Sequence, residues 1–362
     1  MKVAHLINSM FTGGAENLIV ESIAFFNKNN LDITVVLLNG SETPFLSKLK
    51  NAHCRIISLS HLSVYNPLLI FKIIPILRQF DIIHVHLFPG LYWVAIAKMI
   101  SFSPIKLIFT EHNTTNTRLE NRFFLLFDNF IYKFYTKIIC ISTAIEQVLQ
   151  AKIPATIGKT VVIENGINLE KSSETNNLTA SELFSCAELN TKFITQVAGF
   201  RPQKDQKTAI RAMTLLPKDF VLLLVGDGTE KKVCQDLVNQ LNLQNQVVFL
   251  GIRSDAQQIL ELTHFVILSS HYEGLSLSSI EGLNSGKPFI ASDVAGLHEV
   301  VSGAGLLFPE SDFKSLANHI LELNANDEYY AEIVNKCQER AKKFDINTMI
   351  TEQIELYKSF GI

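Results

Sequence analysis

Glu273 and Glu281 are separated by seven residues in the segment SHYEGLSLSSIEG (270–282). The segment leaves an apolar strand pattern and opens a helical one. Glu273 therefore stands before a helix and Glu281 about two turns into it. Ionised carboxylates only accept hydrogen bonds. One could accept from sugar hydroxyls, and the other could take a cis-diol through both oxygens. Gly274, Leu275 and Ser276 would offer backbone N–H groups to an anion at the positive end of that helix. A capping carboxylate followed by an ordinary helical Glu uses the same residues, and a pair of glycosidase carboxylates is a third reading. A second group, GFRPQKDQK (199–207), directly follows another strand pattern. Cations such as Arg201 and Lys204 can neutralise a diphosphate there, although a surface loop would also be basic. Gly13 and Gly14 sit where the first strand pattern turns into a helix, which suits either a phosphate or a tight turn. The GxGxxG fingerprint is absent and the second strand closes on Leu38-Asn39-Gly40 without an acid, which disfavours NAD. His84 and His86 have i,i+2 spacing and share one strand face. Zinc would need further ligands and no third is obvious, so polar residues at a cleft edge are the plainer reading.

These residues need a scaffold that brings strand ends together. Short Ile- and Val-rich runs predict strands at Val3–Asn8, Ile33–Asn39, Arg55–Leu59, Asp81–His86, Lys106–Thr110, Lys137–Ile141 and Val161–Glu164. Most are apolar on both faces, as in a parallel sheet covered by helices. Residues 169–190 are polar and without a clear period, which predicts a linker. The alternation then restarts with Phe193–Ala198, Phe220–Gly226, Val247–Leu250, Phe265–Ser269, Pro288–Ser292 and Leu306–Phe308. Helical patterns include Lys204–Leu216, Thr229–Leu241 and Phe344–Tyr357. Two doubly wound α/β domains follow, with ligands expected at the carboxyl ends of the strands.

The 362 residues, 47% of them hydrophobic, suit two domains better than one. With 19% charged residues and a net charge of -3, the chain is neither disordered nor a strongly basic nucleic-acid binder. No apolar run is long and clean enough to span a membrane, and the first residues do not read as a signal peptide. Five Cys without short spacing exclude a CxxC zinc site and point to reduced thiols in the cytoplasm. Charge is uneven: Thr43 to Thr110 holds seven basic residues and one acidic one. Residues 118–137 hold seven Phe or Tyr with four basic residues. Such segments either pack on the sheet with solvated cations or lie against an anionic membrane.

In order along the chain come GGAE (13–16), TEH (110–112), CIS (140–142), ENGI (164–167), QKDQ (203–206), VGDG (225–228), FLG (249–251), EGLSLSSIEG (273–282) and GKPFIASDVAGLHEVV (286–301). Together they resemble the retaining GT-B glycosyltransferases of the family 4 group, also called glycosyl transferases group 1. The resemblance spans nearly the whole chain and is specific for the group, not for a substrate. It implies two Rossmann-like domains facing one another across a cleft. Residues 1–168 would bind the acceptor, with 344–362 packing back on them, and 191–343 would bind a nucleoside diphosphate sugar. By the same resemblance His112, Lys204 and Glu273 are the catalytic residues. His112 would lie near the transferred sugar, Lys204 would neutralise the leaving diphosphate, and Glu273 would contact donor sugar hydroxyls. Glu281 would hold the ribose. The N–H groups of Gly13, Gly14, Gly274, Leu275 and Ser276 would meet phosphates, and Gly251, Ile252 and Arg253 would lie by the base. The family commonly has Arg where Gly199 stands here. Either Arg201 reaches the phosphate from a shifted position, or Lys204 acts without a partner.

The implied reaction moves a sugar from a UDP- or GDP-linked donor to an acceptor hydroxyl with retention of configuration, without metal or cofactor. The composition is compatible with assembly of bacterial surface polysaccharide or lipopolysaccharide. The basic, aromatic first half suggests a lipid-linked acceptor at the inner face of the cytoplasmic membrane. A nucleotide-sugar 2-epimerase of the same fold would need acid–base carboxylates in the first half, where Glu111 is the strand-end candidate. A silent nucleotide-sugar-binding relative is the remaining alternative.

Overall fold

The computed structural model describes residues 1–361 except 12, 53, 113–120, 170–177, 185–187, 189 and 254. Much of the expected linker, together with Arg118 and Cys186, lies outside the described residues. The chain forms two compact units, Met1–Asn168 with Ile346–Ile362, and Leu169–Asp345.

The first unit is built on strands β1 (Val3–Ile7), β2 (Ile33–Leu37), β3 (Arg55–Ser58), β4 (Ile82–His86), β5 (Lys106–Glu111), β6 (Lys137–Cys140) and β7 (Thr160–Val162). Helices α1 (Gly14–Lys28), α2 (Pro44–Asn51), α3 (Leu69–Leu77), α4 (Gly90–Ser101), α5 (Arg122–Ile131) and α6 (Thr143–Lys152) connect them. The sheet is parallel, in the order β3-β2-β1-β4-β5-β6-β7. Every residue of β1, β2 and β4 is buried, as two-sided apolar strands require. β3 departs from that expectation: its ends are exposed because it is an edge strand.

The second unit contains β8 (Lys192–Val197), β9 (Phe220–Val225), β10 (Val247–Gly251), β11 (Phe265–Leu268), β12 (Phe289–Ser292) and β13 (Leu306–Phe308). Its parallel order is β10-β9-β8-β11-β12-β13. The helices are α7 (Ala180–Leu183), α8 (Gln206–Ala212), α9 (Lys231–Gln240), α10 (Ala256–Leu262), α11 (Leu277–Asn284), α12 (His298–Val301), α13 (Phe313–Ala325) and α14 (Asp327–Ala341). α7 lies within the stretch read as a linker. Thr179 and Glu182 form a capping box there, and Leu183 enters the core beside Phe193, Val221 and Ile259. The pattern predicted over Lys204–Leu216 is interrupted, because Asp205 takes a left-handed backbone conformation between a 3₁₀ turn and α8.

α15 (Ile346–Lys358) returns to the first unit. The Ile346 N–H donates to the Ile167 carbonyl at 2.9 Å, and Met349, Ile350 and Tyr357 are buried. In both sheets the strand order reverses direction beside the first strand, between β1 and β4 and between β8 and β11. A doubly wound sheet opens its ligand crevice there, at the carboxyl ends.

Candidate active site

In the second unit that crevice is lined by the residues after β8 and β11. Lys204 lies in the loop after β8 and Glu273 in the loop after β11. The Lys204 ammonium is 2.5 Å from Glu273 Oε1, with 14% of the lysine side chain and 5% of the glutamate exposed. A hydroxyl from Ser270 donates to the same carboxylate oxygen at 2.6 Å. Gln196 at the end of β8 clamps the two loops. Its amide donates to the Lys204 carbonyl at 3.0 Å, and its oxygen accepts from Ser269 at 3.1 Å. Ser269 and Ser270 are fully buried, so the pair sits on a rigid base.

The glycines around this base have a steric purpose. Gly226 and Gly228 hold φ values of +137° and +153°, and a Cβ there would come within 2.2 and 2.3 Å of the Ala198 and Phe200 carbonyl oxygens. Gly296 has φ +86° and lets the chain pass over Glu273, where a Cβ would meet the Glu273 carbonyl at 2.2 Å. The motif VGDG therefore lets the loop after β9 pack against the backbone at Ala198 and Phe200, and DVAG lets the chain pass over Glu273.

Gly274, Leu275 and Ser276 lead into α11 and bring its N-terminal backbone to the same carboxyl-end rim. Glu281 sits within α11 and is partly buried, between Ile280 and Gly282, which pack inward. Gly251 ends β10 at φ +67°, and Ile252 beyond it is 55% exposed. Arg253 is held in a fork by Asp255, at 2.7 and 2.5 Å, so its charge is already paired. Arg201 is exposed. A Cβ built at Gly199 would meet nothing nearer than the Asp227 carbonyl at 3.6 Å, with Arg201 Nε at 3.9 Å. The side chain of Arg201 thus lies beside the place from which a residue-199 side chain would grow. Three participants were not singled out by sequence reading: Gln196, Ser270 and Gly296. Ser270 and Gly296 lay inside quoted segments without being assigned a role, and Gln196 carried no pattern that marks it.

In the first unit Gly13 is the N-cap of α1, in an extended conformation, and Gly14 is its first residue. His112 follows β5 and is half-buried. The reading of His84 and His86 as cleft-edge polar residues without a third partner is corrected here: both are buried, and His5 completes the group. Parallel pairing sets His5 level with His84, so the three imidazoles share one face. His86 Nε2 is 3.1 Å from His5 Nδ1, and His86 Nδ1 is 3.3 Å from His112 Nε2. Burial drives the His5 pKa down to about 3 and that of His112 to about 4, and holds His84 and His86 well below the usual value. A metal would need three lone pairs converging at about 2 Å. Here the ring nitrogens point at one another and at hydroxyls instead. Glu111 points to the other face of the sheet, where it is buried and accepts from the Tyr132 hydroxyl at 3.3 Å. An acid–base carboxylate for epimerisation would have to reach substrate, and Glu111 faces the core.

The aromatic run of the first half divides. Tyr132 and Tyr135 are fully buried, whereas Phe123, Leu126, Phe127 and Phe130 of α5 are 85%, 74%, 42% and 43% exposed. Their i, i+3, i+4, i+7 spacing places them in one stripe, and it faces outward. α3 instead packs its apolar face inward, leaving Leu68 and Phe71 exposed beside it. Among the described residues no helix is long and apolar enough to cross a membrane.

The family description "Glycosyltransferase Family 4" matches residues 12–171, and "Glycosyl transferases group 1" matches residues 185–344. An uncharacterized glycosyltransferase of Methanocaldococcus jannaschii is 30% identical over 291 residues, 78% of this chain and 76% of the relative. An Escherichia coli relative named UDP-Gal:alpha-D-GlcNAc-diphosphoundecaprenol alpha-1,3-galactosyltransferase is 24% identical, over 99% of this chain and 96% of its own. Among solved structures, Anabaena HepE in complex with UDP-glucose shares the fold at a TM-score of 0.86, with 24% identity over 99% of this chain and 100% of that one. With two parallel doubly wound units, both halves matched by family descriptions and a 30% identical relative along most of its length, the chain belongs to the GT-B glycosyltransferases of the family 4 group.

Proposed function

We propose that this glycosyltransferase moves a sugar from a nucleoside diphosphate sugar to a hydroxyl of a lipid-linked glycan, with retention of anomeric configuration, in bacterial surface polysaccharide assembly. The observation that carries the reading is the Lys204–Glu273 pair at the switch point of the second sheet, beside the N-terminus of α11. Negative charge grows on the departing diphosphate as the sugar becomes oxocarbenium-like. A fixed ammonium and aligned N–H groups stabilise that charge without reorganising at the moment of reaction. In this reading Lys204, assisted by Arg201, faces the diphosphate, and Gly274, Leu275 and Ser276 offer it N–H groups. Glu273 accepts from donor sugar hydroxyls, and Glu281 takes the ribose. Gly251 and Ile252 lie by the base, with Arg253 anchored near them by Asp255. On the acceptor side, His112 lies by the sugar and the Gly13–Gly14 turn meets a phosphate. Charge neutralisation by protein groups leaves no step that calls for a metal or cofactor.

The lipid-linked acceptor is supported by the outward apolar stripe of α5, by the cationic excess between Thr43 and Thr110, and by the name of the E. coli relative. Cations near anionic lipid contribute about 1 kcal/mol each, and buried aromatics add to this. In this reading the protein works at the inner face of the cytoplasmic membrane.

The test is to incubate the protein with UDP-, GDP- and ADP-sugars, with and without a polyprenyl-diphosphate-linked acceptor. Nucleotide release that requires acceptor, with an α-linked product from an α-linked donor, is the expected result. Sugar isomerised without acceptor would make it an epimerase. A β-linked product would overturn retention.

A further inference from the structure

A continuous line of hydrogen bonds runs beneath His112. Thr110 Oγ1 is 2.6 Å from His84 Nε2, and His84 Nδ1 is 2.7 Å from the Tyr357 hydroxyl. That hydroxyl is 3.1 Å from His5 Nε2. His5 Nδ1 continues to His86 Nε2 at 3.1 Å, and His86 Nδ1 to His112 Nε2 at 3.3 Å. Both ring nitrogens of His5, His84 and His86 are thereby used. All six groups belong to the first unit: β1, β4, β5 and the residue after it, and α15.

We propose that Tyr357 on α15 sets the tautomer of His112 through His5 and His86, and so acts as a positioning residue for the sugar-transfer site. A neutral imidazole has one N–H and one lone pair, so each ring in a line must donate on one side and accept on the other. The direction of the whole line then follows from one proton, that of Tyr357. Three groups surround the Tyr357 oxygen: His84, His5 and Gln353, whose Oε1 accepts from it at 3.4 Å. The Gln353 oxygen can only accept. The one arrangement that makes every contact a hydrogen bond has Tyr357 donating to Gln353 and both imidazoles donating into Tyr357. His5 then carries its proton on Nε2 and accepts from His86 Nε2–H. His86 in turn accepts at Nδ1 from His112 Nε2–H. His112 is left with its lone pair on Nδ1. Burial keeps all four rings neutral, so each has one N–H and one lone pair.

The hydrogen-bond geometry alone fixes the tautomer. Its consequence for transfer rests on the role proposed above for His112, and the test separates the two. The tautomer is read by long-range ¹H–¹⁵N correlation of the full chain labelled at histidine, with His112→Gln identifying the resonance. The wild-type protein should show His112 protonated at Nε2. In Tyr357→Phe, His5 Nε2–H loses its acceptor in a buried site. The line reverses, and His112 should move to the Nδ1–H form. Phe26 packs edge-on to His5 and stacks on Tyr357 without joining any hydrogen bond. Phe26→Leu should therefore lower thermal stability and leave the tautomer alone. Once a donor and acceptor pair is found, Tyr357→Phe should lower kcat by roughly tenfold or more with donor KM little changed. A wild-type Nδ1–H form would overturn the proposal even if Tyr357→Phe failed to fold. So would an unchanged tautomer in that variant, or a metal ion retained at one per chain through chelator dialysis. The predicted reversal without any loss of kcat would leave the tautomer assignment standing and remove His112 from the transfer site.

Discussion

Lowering the pH from 7.5 to 5.5 should destabilise the unit containing Met1–Asn168 far more than the unit Leu169–Asp345. His5, His84, His86 and His112 all lie in the first unit, and burial holds each neutral form. The His5 pKa is lowered to about 3 and that of His112 to about 4, against about 6.5 in an unfolded chain. Below 6.5 the unfolded chain takes up protons that the folded unit refuses, so the unfolded state binds more protons and stability falls with pH. The stabilisation is complete above 6.5 and is lost as the pH drops toward the folded values. Between pH 7.5 and 5.5 His5 and His112 each contribute about 1.4 kcal/mol, and His84 and His86 act in the same direction. The two together, about 3 kcal/mol, are a large fraction of the stability of an ordinary domain, about 5–15 kcal/mol. In the other unit His264 is shifted down by burial but His298 is shifted up by Asp293, so their effects oppose. Calorimetry at the two pH values should show two transitions, one of which moves strongly. Replacing His5 with Asn should reduce the pH slope of that transition by about 1.4 kcal/mol per pH unit below 6. Equal slopes for both transitions, or a slope untouched by the His5 change, would refute the reasoning.

Lys204→Ala should lower kcat by roughly two to four orders of magnitude, the scale of a preorganised charge lost from a transition state, and Arg201→Ala should cost less; steady-state rates with donor and acceptor decide this. Glu281→Ala should weaken donor binding, read by calorimetric titration, more than it lowers turnover at saturation, because ribose contacts change little between ground and transition states. Gly296→Ala should destabilise the second unit by about 2 kcal/mol or more in urea titration, since the new methyl would overlap the Glu273 carbonyl at 2.2 Å. The protein should co-sediment with anionic vesicles and be released by salt. Phe123→Ser/Leu126→Ser and Lys72→Glu/Arg78→Glu should each weaken that binding while nucleotide affinity holds, and binding that ignores lipid charge would point to a soluble acceptor.

The proximity of Lys204 and Glu273 in the candidate site was legible because its parts are local. E-x7-E and the Lys204 loop each follow a buried strand, and a doubly wound order brings those strand ends together whatever the intervening residues are. Gln196 and Ser270, which clamp them, look like any polar residues at a strand end. The histidine line was half legible. His84 and His86 declared a shared face by alternation. Their partners come from register and from a distant helix: His5 bonds His86 across 81 residues, and Tyr357 bonds His84 across 273. No periodicity contains that information. The aromatic run 123–135 left two readings open for a related reason. Hydrophobicity tells that a helix wants an apolar neighbour, but α5 turns its stripe away from the sheet while the adjoining Tyr132 and Tyr135 fill it. α7 was hidden because a single turn is too short to show a period, although its capping box was written in the sequence.

The return of α15 has a consequence for how the protein is made. The second unit is continuous in sequence, whereas the first waits for Ile346–Ile362, about 180 residues after its sheet is complete. At roughly 5–20 residues per second, a ribosome needs on the order of ten to thirty seconds to cover that distance. During that interval the buried histidines of β1 and β4 lack the helix that covers them, and Tyr357 has not yet been polymerised. The half that emerges first is therefore the half that finishes last. A released chain truncated after Asp345 should carry a protease-resistant second unit beside a first unit that is still open to cleavage.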